Sequence, residues 1–88
     1  MNLDQLIIAF LAPRDPAAYT EVTIAQRLNK SRMLDRHCTV EEVANSLRDL
    51  NRMGFVTMQM NKLDDSAVWK ISPEGFKEWV LEGRVTVV

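Results

Sequence analysis

The basic side chains of this 88-residue chain are concentrated in one short segment, although the net charge of the whole chain is −1. Residues 22–37 hold four cations against a single carboxylate. These cations are Arg27, Lys30, Arg32 and Arg36. A cluster of this kind suits contact with phosphate groups, which requires only positive charge within reach. An ordinary basic surface is the alternative, and the sequence leaves both open.

A second set of polar side chains lies in residues 39–53, the most regular helical segment. Thr39 and Glu42 form a T-x-x-E capping box. The apolar residues of one helix face are Val40, Val43, Leu47, Leu50 and Met53. With about 100° between successive residues, the opposite face carries Glu41, Asn45, Arg48, Asp49 and Arg52. The amide of Asn45 and the guanidinium groups of Arg48 and Arg52 match the edges of adenine and guanine. The alternative for Asp49 and Arg52 is a solvent-exposed ion pair between positions i and i+3 of the helix.

The residue types that support catalysis or metal binding are too few for either activity. His37 and Cys38 are adjacent, but they do not supply the four ligands of a structural zinc site, and a single cysteine forms no internal disulfide. The chain shows neither a nucleophilic arrangement nor a glycine-rich phosphate loop. The methionines near Trp69 are expected to pack against it rather than to bind a ligand. We therefore expect a protein that is not an enzyme and that has no cofactor and no metal.

The hydropathy pattern indicates a protein of the cell interior. The apolar run at residues 6–11 is far shorter than the roughly 18 residues needed to cross a membrane. Asp4 precedes this run, and no basic segment or cleavage site frames it as a signal peptide. We expect a cytoplasmic protein without a membrane partner.

The remaining periodicities predict two helices before residue 30. Apolar residues from Leu3 to Leu11 repeat at helical spacing until Pro13 ends the pattern. Thr20 is a suitable N-cap for a second helix over residues 21–29. Residues 29–38 are predicted to form a loop or one short helix.

The C-terminal third predicts a hairpin followed by a helix. Gly54 ends the preceding helix, and two alternating segments, residues 56–60 and 67–71, predict a two-stranded hairpin. Ser72 and Pro73 mark the start of a fourth helix that Gly83 closes. Residues 84–88 are expected to form an extended apolar tail.

Three motifs in this order resemble the winged helix-turn-helix family, including MarR-like and PadR-like regulators. Residues 20–28, TEVTIAQRL, are similar to the family's second helix. Residues 47–56, LRDLNRMGFV, resemble the end of its recognition helix, and residues 69–75, WKISPEG, resemble the strand that returns from its wing. The resemblance implies an α+β, mainly α fold over residues 1–88 as one domain: a three-helix core, a two-stranded β wing and a C-terminal helix.

The resemblance also implies a small transcriptional regulator that binds double-stranded DNA sequence-specifically. Asn45, Arg48 and Arg52 would then contact bases, and Lys62 would lie at the tip of the wing. The residues expected at phosphates are Arg27, Lys30, Arg32, Arg36 and Thr39. We expect a homodimer that buries helix one and the apolar tail. The alternative is a winged helix domain that binds a protein partner and no DNA, because Glu41, Glu42 and Asp49 make the third helix acidic.

Overall fold

A computed structural model describes residues 1–87, which form a mixed α+β structure of four α-helices and one three-stranded antiparallel sheet. A short 3-10 turn over Ala12–Arg14 follows the first helix. In chain order the elements are α1 (Leu3–Leu11), β1 (Tyr19–Thr20), α2 (Glu21–Ser31), α3 (Val40–Arg52), β2 (Val56–Met60), β3 (Ala67–Ile71) and α4 (Pro73–Leu81). The four predicted helices and the predicted hairpin are therefore present.

Helix α1 is the centre of the hydrophobic core. Asn2 and Gln5 form a capping box at its start, which the sequence analysis did not identify. All six residues at positions 6–11 are buried, because α2, α3, α4 and β3 all pack against this helix. The apolar stripe predicted for one face is thus only part of the surface that α1 buries.

Helix α2 begins at its predicted cap and is longer than predicted. The backbone N–H of Thr23 donates to the Thr20 hydroxyl at 3.2 Å. The helix continues to Ser31, two residues beyond the predicted end, and stops where Arg32 adopts a left-handed conformation with φ of 58°. Residues 32–39 form no helix, so the segment after α2 is a loop. The Asn29 side chain holds this loop by accepting from the Cys38 N–H at 2.8 Å and donating to the Cys38 carbonyl at 2.9 Å.

The capping and burial of α3 agree with its sequence pattern except at the two ends. Thr39 and Glu42 form the expected capping box, and the helix buries Val43, Ala44, Leu47 and Leu50. Val40 and Met53, which were predicted for the same apolar face, are exposed because they lie at the two ends of the helix, outside the buried stretch from Val43 to Leu50. Gly54 follows with φ of 82°, the left-handed conformation expected for the residue that ends a helix.

The predicted two-stranded hairpin is part of a three-stranded sheet, whose third strand was not predicted. The strand order is β1-β3-β2, and β1 pairs antiparallel with β3 through Tyr19 opposite Trp69 and Thr20 opposite Val68. The hairpin pairs Val56 with Ile71 and Met58 with Trp69. A strand of two residues is too short to show alternation, so its place in the sheet depends on tertiary pairing alone.

Helix α4 begins at Ser72, as predicted, and the chain after it returns to the core. The Ser72 hydroxyl accepts from the Gly75 N–H at 3.0 Å. After Gly83, with φ of 91°, the Trp79 indole N–H donates to the Val85 carbonyl at 2.8 Å. Val87 is buried, and its N–H donates to the Ala9 carbonyl at 3.4 Å. The end of the predicted tail, Val88, lies outside the described residues.

These contacts bury part of the surface on which the predicted homodimer was based. The apolar residues of α1 and Val87 are buried within a single copy of the chain. Val85 of the predicted tail remains exposed. Homodimerisation therefore stays a prediction without an assigned surface.

Candidate nucleic-acid interface

The outer face of α3 presents every polar side chain that the helical periodicity predicted there. Its buried face packs on α1 and α2, which fixes the rotation of the helix about its axis. The exposed residues opposite that buried face are Glu41, Asn45, Arg48, Asp49 and Arg52. The structure thus brings the three predicted base-contacting residues together on one helix face.

The two arginines of this face already have partners on the same helix. Arg48 donates to the Asn45 side-chain oxygen, and Arg52 forms an ion pair with Asp49. The Arg52 and Asp49 side chains are 76% and 55% exposed, so water competes with this ion pair. Exposed pairs of this kind contribute at most about 1 kcal/mol. Both arginines can therefore exchange their partners for an external acceptor at small cost.

Two backbone N–H groups at the N-terminal end of α3 donate to side chains of the capping box. Glu42 accepts from the Thr39 N–H at 3.2 Å, and its other oxygen lies 2.6 Å from the Arg36 guanidinium. Thr39 in turn accepts from the Glu42 N–H at 3.1 Å. Arg36 and Thr39, which were predicted to contact phosphate, thus have partners within the chain, although the Arg36 side chain is 60% exposed. Two carboxylates lie in the first turn of the helix.

Glu42 should make the stability of the fold depend on pH. The hydrogen bond from Arg36, followed by that from the Thr39 backbone, lowers the pKa of Glu42. A carboxyl with a lowered pKa stabilises the folded state above its unfolded pKa of about 4.3, and this contribution is lost as the pH falls through the lower folded value.

Glu42→Gln keeps a capping side chain but removes the ion pair with Arg36. We expect this variant to unfold at lower urea concentration than the wild type at about pH 7, and the difference to shrink below about pH 4. Glu41→Gln, a change at the exposed neighbouring residue, should have little effect at either pH. If the variant and the wild type still differed as much in their urea unfolding below about pH 4 as at about pH 7, the ion pair would not be the cause.

The cations of residues 22–37 differ in their surroundings. The Arg27 guanidinium lies 5.6 Å from the centroid of the Phe10 ring on α1, and Arg14 lies 4.2 Å from the same centroid. Lys30 and Arg32 are exposed at the C-terminal end of α2. Arg36 is also exposed but is paired with Glu42, so Lys30 and Arg32 are the exposed cations of residues 22–37 without an ion pair among the described residues.

Lys62 is exposed in the turn between β2 and β3, as predicted for the tip of the hairpin. Asp64 and Asp65 follow it in the same turn. The Ser66 hydroxyl, with help from the Ser66 backbone N–H, lowers the pKa of Asp64. The turn thus places a charged carboxylate close to its single cation at neutral pH.

A groove of about 450 Å³ separates the C-terminal half of α3 from the hairpin. Its lining residues are Arg48, Asn51, Arg52, Met58 and Trp69. Sequence reasoning missed Asn51, Met58 and Trp69 as members of the site, because their meeting depends on the pairing of Met58 with Trp69 across the hairpin. The Trp69 indole N–H is buried without a hydrogen-bond partner in the part of the chain that the structure describes.

The chemistry of this groove favours an acceptor-rich ligand. Two guanidinium groups and one amide supply several N–H donors, and no carboxylate is among its lining residues. Met58 lies opposite Trp69 across the hairpin, and Met58 and Met60 are 45% and 54% exposed, so each methionine keeps an accessible apolar surface. The groove therefore combines donors with an accessible apolar edge, which suits a nucleic-acid backbone or a base edge.

Cys38 is buried, and this burial raises the pKa of its thiol. Within residues 1–87 no three His, Cys, Asp or Glu side chains are grouped so as to hold a metal ion. In the same residues no helix has the length and apolar character to cross a membrane.

The fold is similar to that of a protein of known structure described as a transcriptional regulator from Clostridium thermocellum. The TM-score is 0.74 at 12% sequence identity, and the similarity covers 91% of this chain and 75% of that chain. At this identity the likeness shows a shared fold and nothing further. No protein-family model and no curated protein matches the sequence.

Proposed function

We propose that this chain is a winged helix-turn-helix domain that binds double-stranded DNA as a transcriptional regulator in the cytoplasm. The observation that carries the proposal is the exposed face of α3, where Asn45, Arg48 and Arg52 lie together beside the groove. The fold shared with a transcriptional regulator supports it. In this proposal the β2–β3 hairpin is the wing, and neither catalysis nor a cofactor is required.

The proposed mechanism places α3 in the major groove. The Asn45 amide would pair with adenine, and Arg48 or Arg52 would donate to the O6 and N7 atoms of guanine. Lys30 and Arg32, which are exposed, would contact phosphates beside the major groove of the DNA. Lys62 would contact the DNA backbone from the tip of the wing. Phosphate contacts position the domain, and the three α3 side chains select the sequence. A homodimer would apply this readout to two half-sites.

A second candidate function is docking of a protein partner on the same face. It is favoured by the charge pairing of Arg52 with Asp49 and by the exposed methionines Met53, Met58 and Met60 beside it. Flexible methionine side chains are common on surfaces that bind several partners. The two functions differ in how they respond to the removal of negative charge from α3.

Asp49→Asn removes a carboxylate from the candidate DNA face and frees Arg52 from its ion pair. We expect duplex DNA to bind about threefold more tightly to this variant, because one repulsive charge is lost and one cation becomes available. The measurement is a titration of a labelled duplex followed by fluorescence anisotropy. A weaker or unchanged affinity would favour the protein-docking function.

Glu74→Gln is the matched control for Asp49→Asn. It makes the same change in net charge and breaks an exposed pair of the same spacing, because Glu74 lies 3.4 Å from Lys77 on α4. Its duplex affinity should remain within about twofold of the wild type, since only the long-range field changes. Equal gains in both variants would assign the effect to net charge and not to the α3 face.

The proposed function is tested by selection from a random duplex library. We expect bound molecules to share a short motif with adenine or guanine at the selected positions, and two inverted copies of the motif if the protein is a dimer. Retention of duplexes without any shared motif would contradict sequence-specific binding. If no duplex is retained, and the protein instead captures a protein partner whose binding is lost when residues 41–52 are substituted, the second candidate function would be established.

A further inference from the structure

One long edge of the sheet is formed by β2, which pairs with β3 on one side and with no strand of the described residues on the other. The ladder fixes which backbone groups face that free side. The Asn61 N–H donates to the Ser66 carbonyl at 2.7 Å, and the Ser72 N–H donates to the Phe55 carbonyl at 3.1 Å. Because alternate residues of an antiparallel strand bond to the same side, the odd-numbered residues of β2 bond to β3. The N–H and C=O groups of the even-numbered residues therefore face away from it.

The free edge of β2 lacks the features that usually protect an exposed strand. Met58 and Met60 are 45% and 54% exposed, and Gln59 between them is exposed as well. Natural edge strands are protected by lysine, proline or a bulge. The sequence of β2, VTMQM, contains no charged residue and no proline, and its register with β3 is continuous. The edge is therefore open to pairing with another strand.

The exposed part of β2 is complementary to itself. Antiparallel pairing with the same residues of a second copy sets Met58 opposite Met60 of the second copy and Gln59 opposite Gln59 of the second copy. The two methionine pairs exchange backbone hydrogen bonds, because their N–H and C=O groups face this side. The Gln59 pair lies on the two-fold axis, and the uncharged strands do not repel each other.

The two ends of β2 are also complementary in charge and in apolar surface. The turn over residues 61–66 has one lysine and two aspartates, a net charge of −1, whereas residues 48–52 have two arginines and one aspartate, a net charge of +1. Leu63 in the turn is 95% exposed, and Met53 at the end of α3 is 53% exposed. Antiparallel pairing brings the turn of one copy to the end of α3 in the second copy. Opposite charges and uncovered apolar side chains are then neighbours.

We propose that β2 is the homodimerisation strand of this protein, and that two copies join their sheets edge to edge. This pairing assigns a surface to the homodimer, which the burial of α1 and Val87 leaves without one. The two-fold axis is perpendicular to the sheet, so the corresponding faces of both sheets lie on the same side. Both α3 helices then lie on one side of the dimer, as readout of two half-sites requires. The strand pairing itself does not depend on the proposed DNA binding.

A cysteine at the two-fold axis tests the register. Non-hydrogen-bonded antiparallel partners have Cα atoms about 4.5 Å apart, a separation that a disulfide spans. We expect Gln59→Cys to form a disulfide-linked dimer when oxidised with copper phenanthroline, as seen on a non-reducing gel. The wild type should not be linked, because Cys38 is buried. Glu74→Cys, at an exposed site on α4, is the control for random collisions. No dimer from Gln59→Cys, or equal linking of both variants, would overturn the inference.

A proline on the free edge tests the backbone pairing. Met60→Pro removes an N–H that faces away from β3, so the hairpin ladder stays intact while the contact with the second copy is lost. Sedimentation equilibrium of the DNA-free protein should show dimers for the wild type and for Met60→Val, which keeps this N–H. Met60→Pro should dimerise about tenfold more weakly or less, with an unchanged circular dichroism spectrum.

Two results of the sedimentation experiment would overturn the inference. One is a wild-type protein that stays monomeric at about 1 mM, and the other is equal dimerisation of Met60→Pro and Met60→Val. A monomer that still binds duplex DNA would overturn only this inference and leave the proposed function standing. A dimer linked through Gln59→Cys that binds no DNA would do the reverse.

Discussion

Gly75→Ala is expected to destabilise the protein by about 3 kcal/mol, although alanine is the better helix former. Gly75 lies in the first turn of α4, where a Cβ atom would meet the Phe55 carbonyl oxygen at 2.0 Å and Ile71 Cδ1 at 2.7 Å. The nearest obstacle is backbone that accepts the Ser72 N–H at 3.1 Å and cannot move without breaking that hydrogen bond. Urea unfolding followed by circular dichroism would measure the change in the free energy of unfolding.

Helix propensity alone predicts the opposite sign, a gain of about 1 kcal/mol for the same substitution. Lys77→Ala is a suitable control because Lys77 is exposed on the same helix, and its effect should stay within about 0.5 kcal/mol. An unchanged or higher stability for Gly75→Ala would show that α4 does not approach Phe55 as closely as the structure indicates.

This contact is relevant to the candidate site because it holds the turn between α3 and β2. Phe55 follows Gly54, the residue that ends α3, and its N–H donates to the Leu50 carbonyl at 2.9 Å. The Ser72 hydroxyl also donates to the Gly54 carbonyl. Helix α4 therefore fixes the turn that sets the angle between α3 and the hairpin, and with it the shape of the groove.

The double variant Arg48→Ala, Arg52→Ala is expected to lose about 30-fold or more in duplex DNA affinity, because each guanidinium contact to a base contributes about 1–3 kcal/mol of discrimination. Both residues are exposed and neither packs in the core, so the fold should remain intact. Anisotropy titrations of the sequence obtained from library selection would measure the loss.

The control for this variant removes the same charge from another surface. Lys77 and Arg84 are exposed on and just after α4, and their double replacement by alanine should change affinity by less than about threefold. A similar loss in both double variants would mean that only net charge matters. An unchanged affinity in the α3 variant would exclude the exposed face of α3 as the DNA-binding surface.

The sequence predicted those elements whose ends and faces are encoded locally. Thr39 and Glu42 identify the start of α3, and Gly54 identifies its end, because a capping box and a left-handed glycine act within a few residues. Helical periodicity then correctly gave the exposed positions of Asn45 and Arg48. For this reason the candidate base-contacting face could be predicted without knowledge of the tertiary structure.

Features that depend on contacts distant in sequence could not be obtained in this way. The strand β1 forms only because Tyr19 and Thr20 meet β3, some 50 residues later. The contribution of Trp69 to the groove likewise depends on hairpin register and on the angle between α3 and the sheet. Charge counting grouped Arg27 with the other cations of residues 22–37, but it could not show that the Arg27 guanidinium lies 5.6 Å from the centroid of the Phe10 ring.

The central claim is that α3 and its groove bind duplex DNA. The most direct measurement is the fluorescence anisotropy of a labelled duplex of random sequence and about 30 base pairs, titrated with the protein at two salt concentrations. The proposed function predicts binding at about 50 mM salt that weakens at about 200 mM. The protein releases salt cations from the DNA phosphates when it binds, and a higher salt concentration opposes this release. The Arg48→Ala, Arg52→Ala variant should bind more weakly than the wild type at the lower salt concentration. No binding by the wild type at low salt, or binding that does not respond to salt, would contradict the claim.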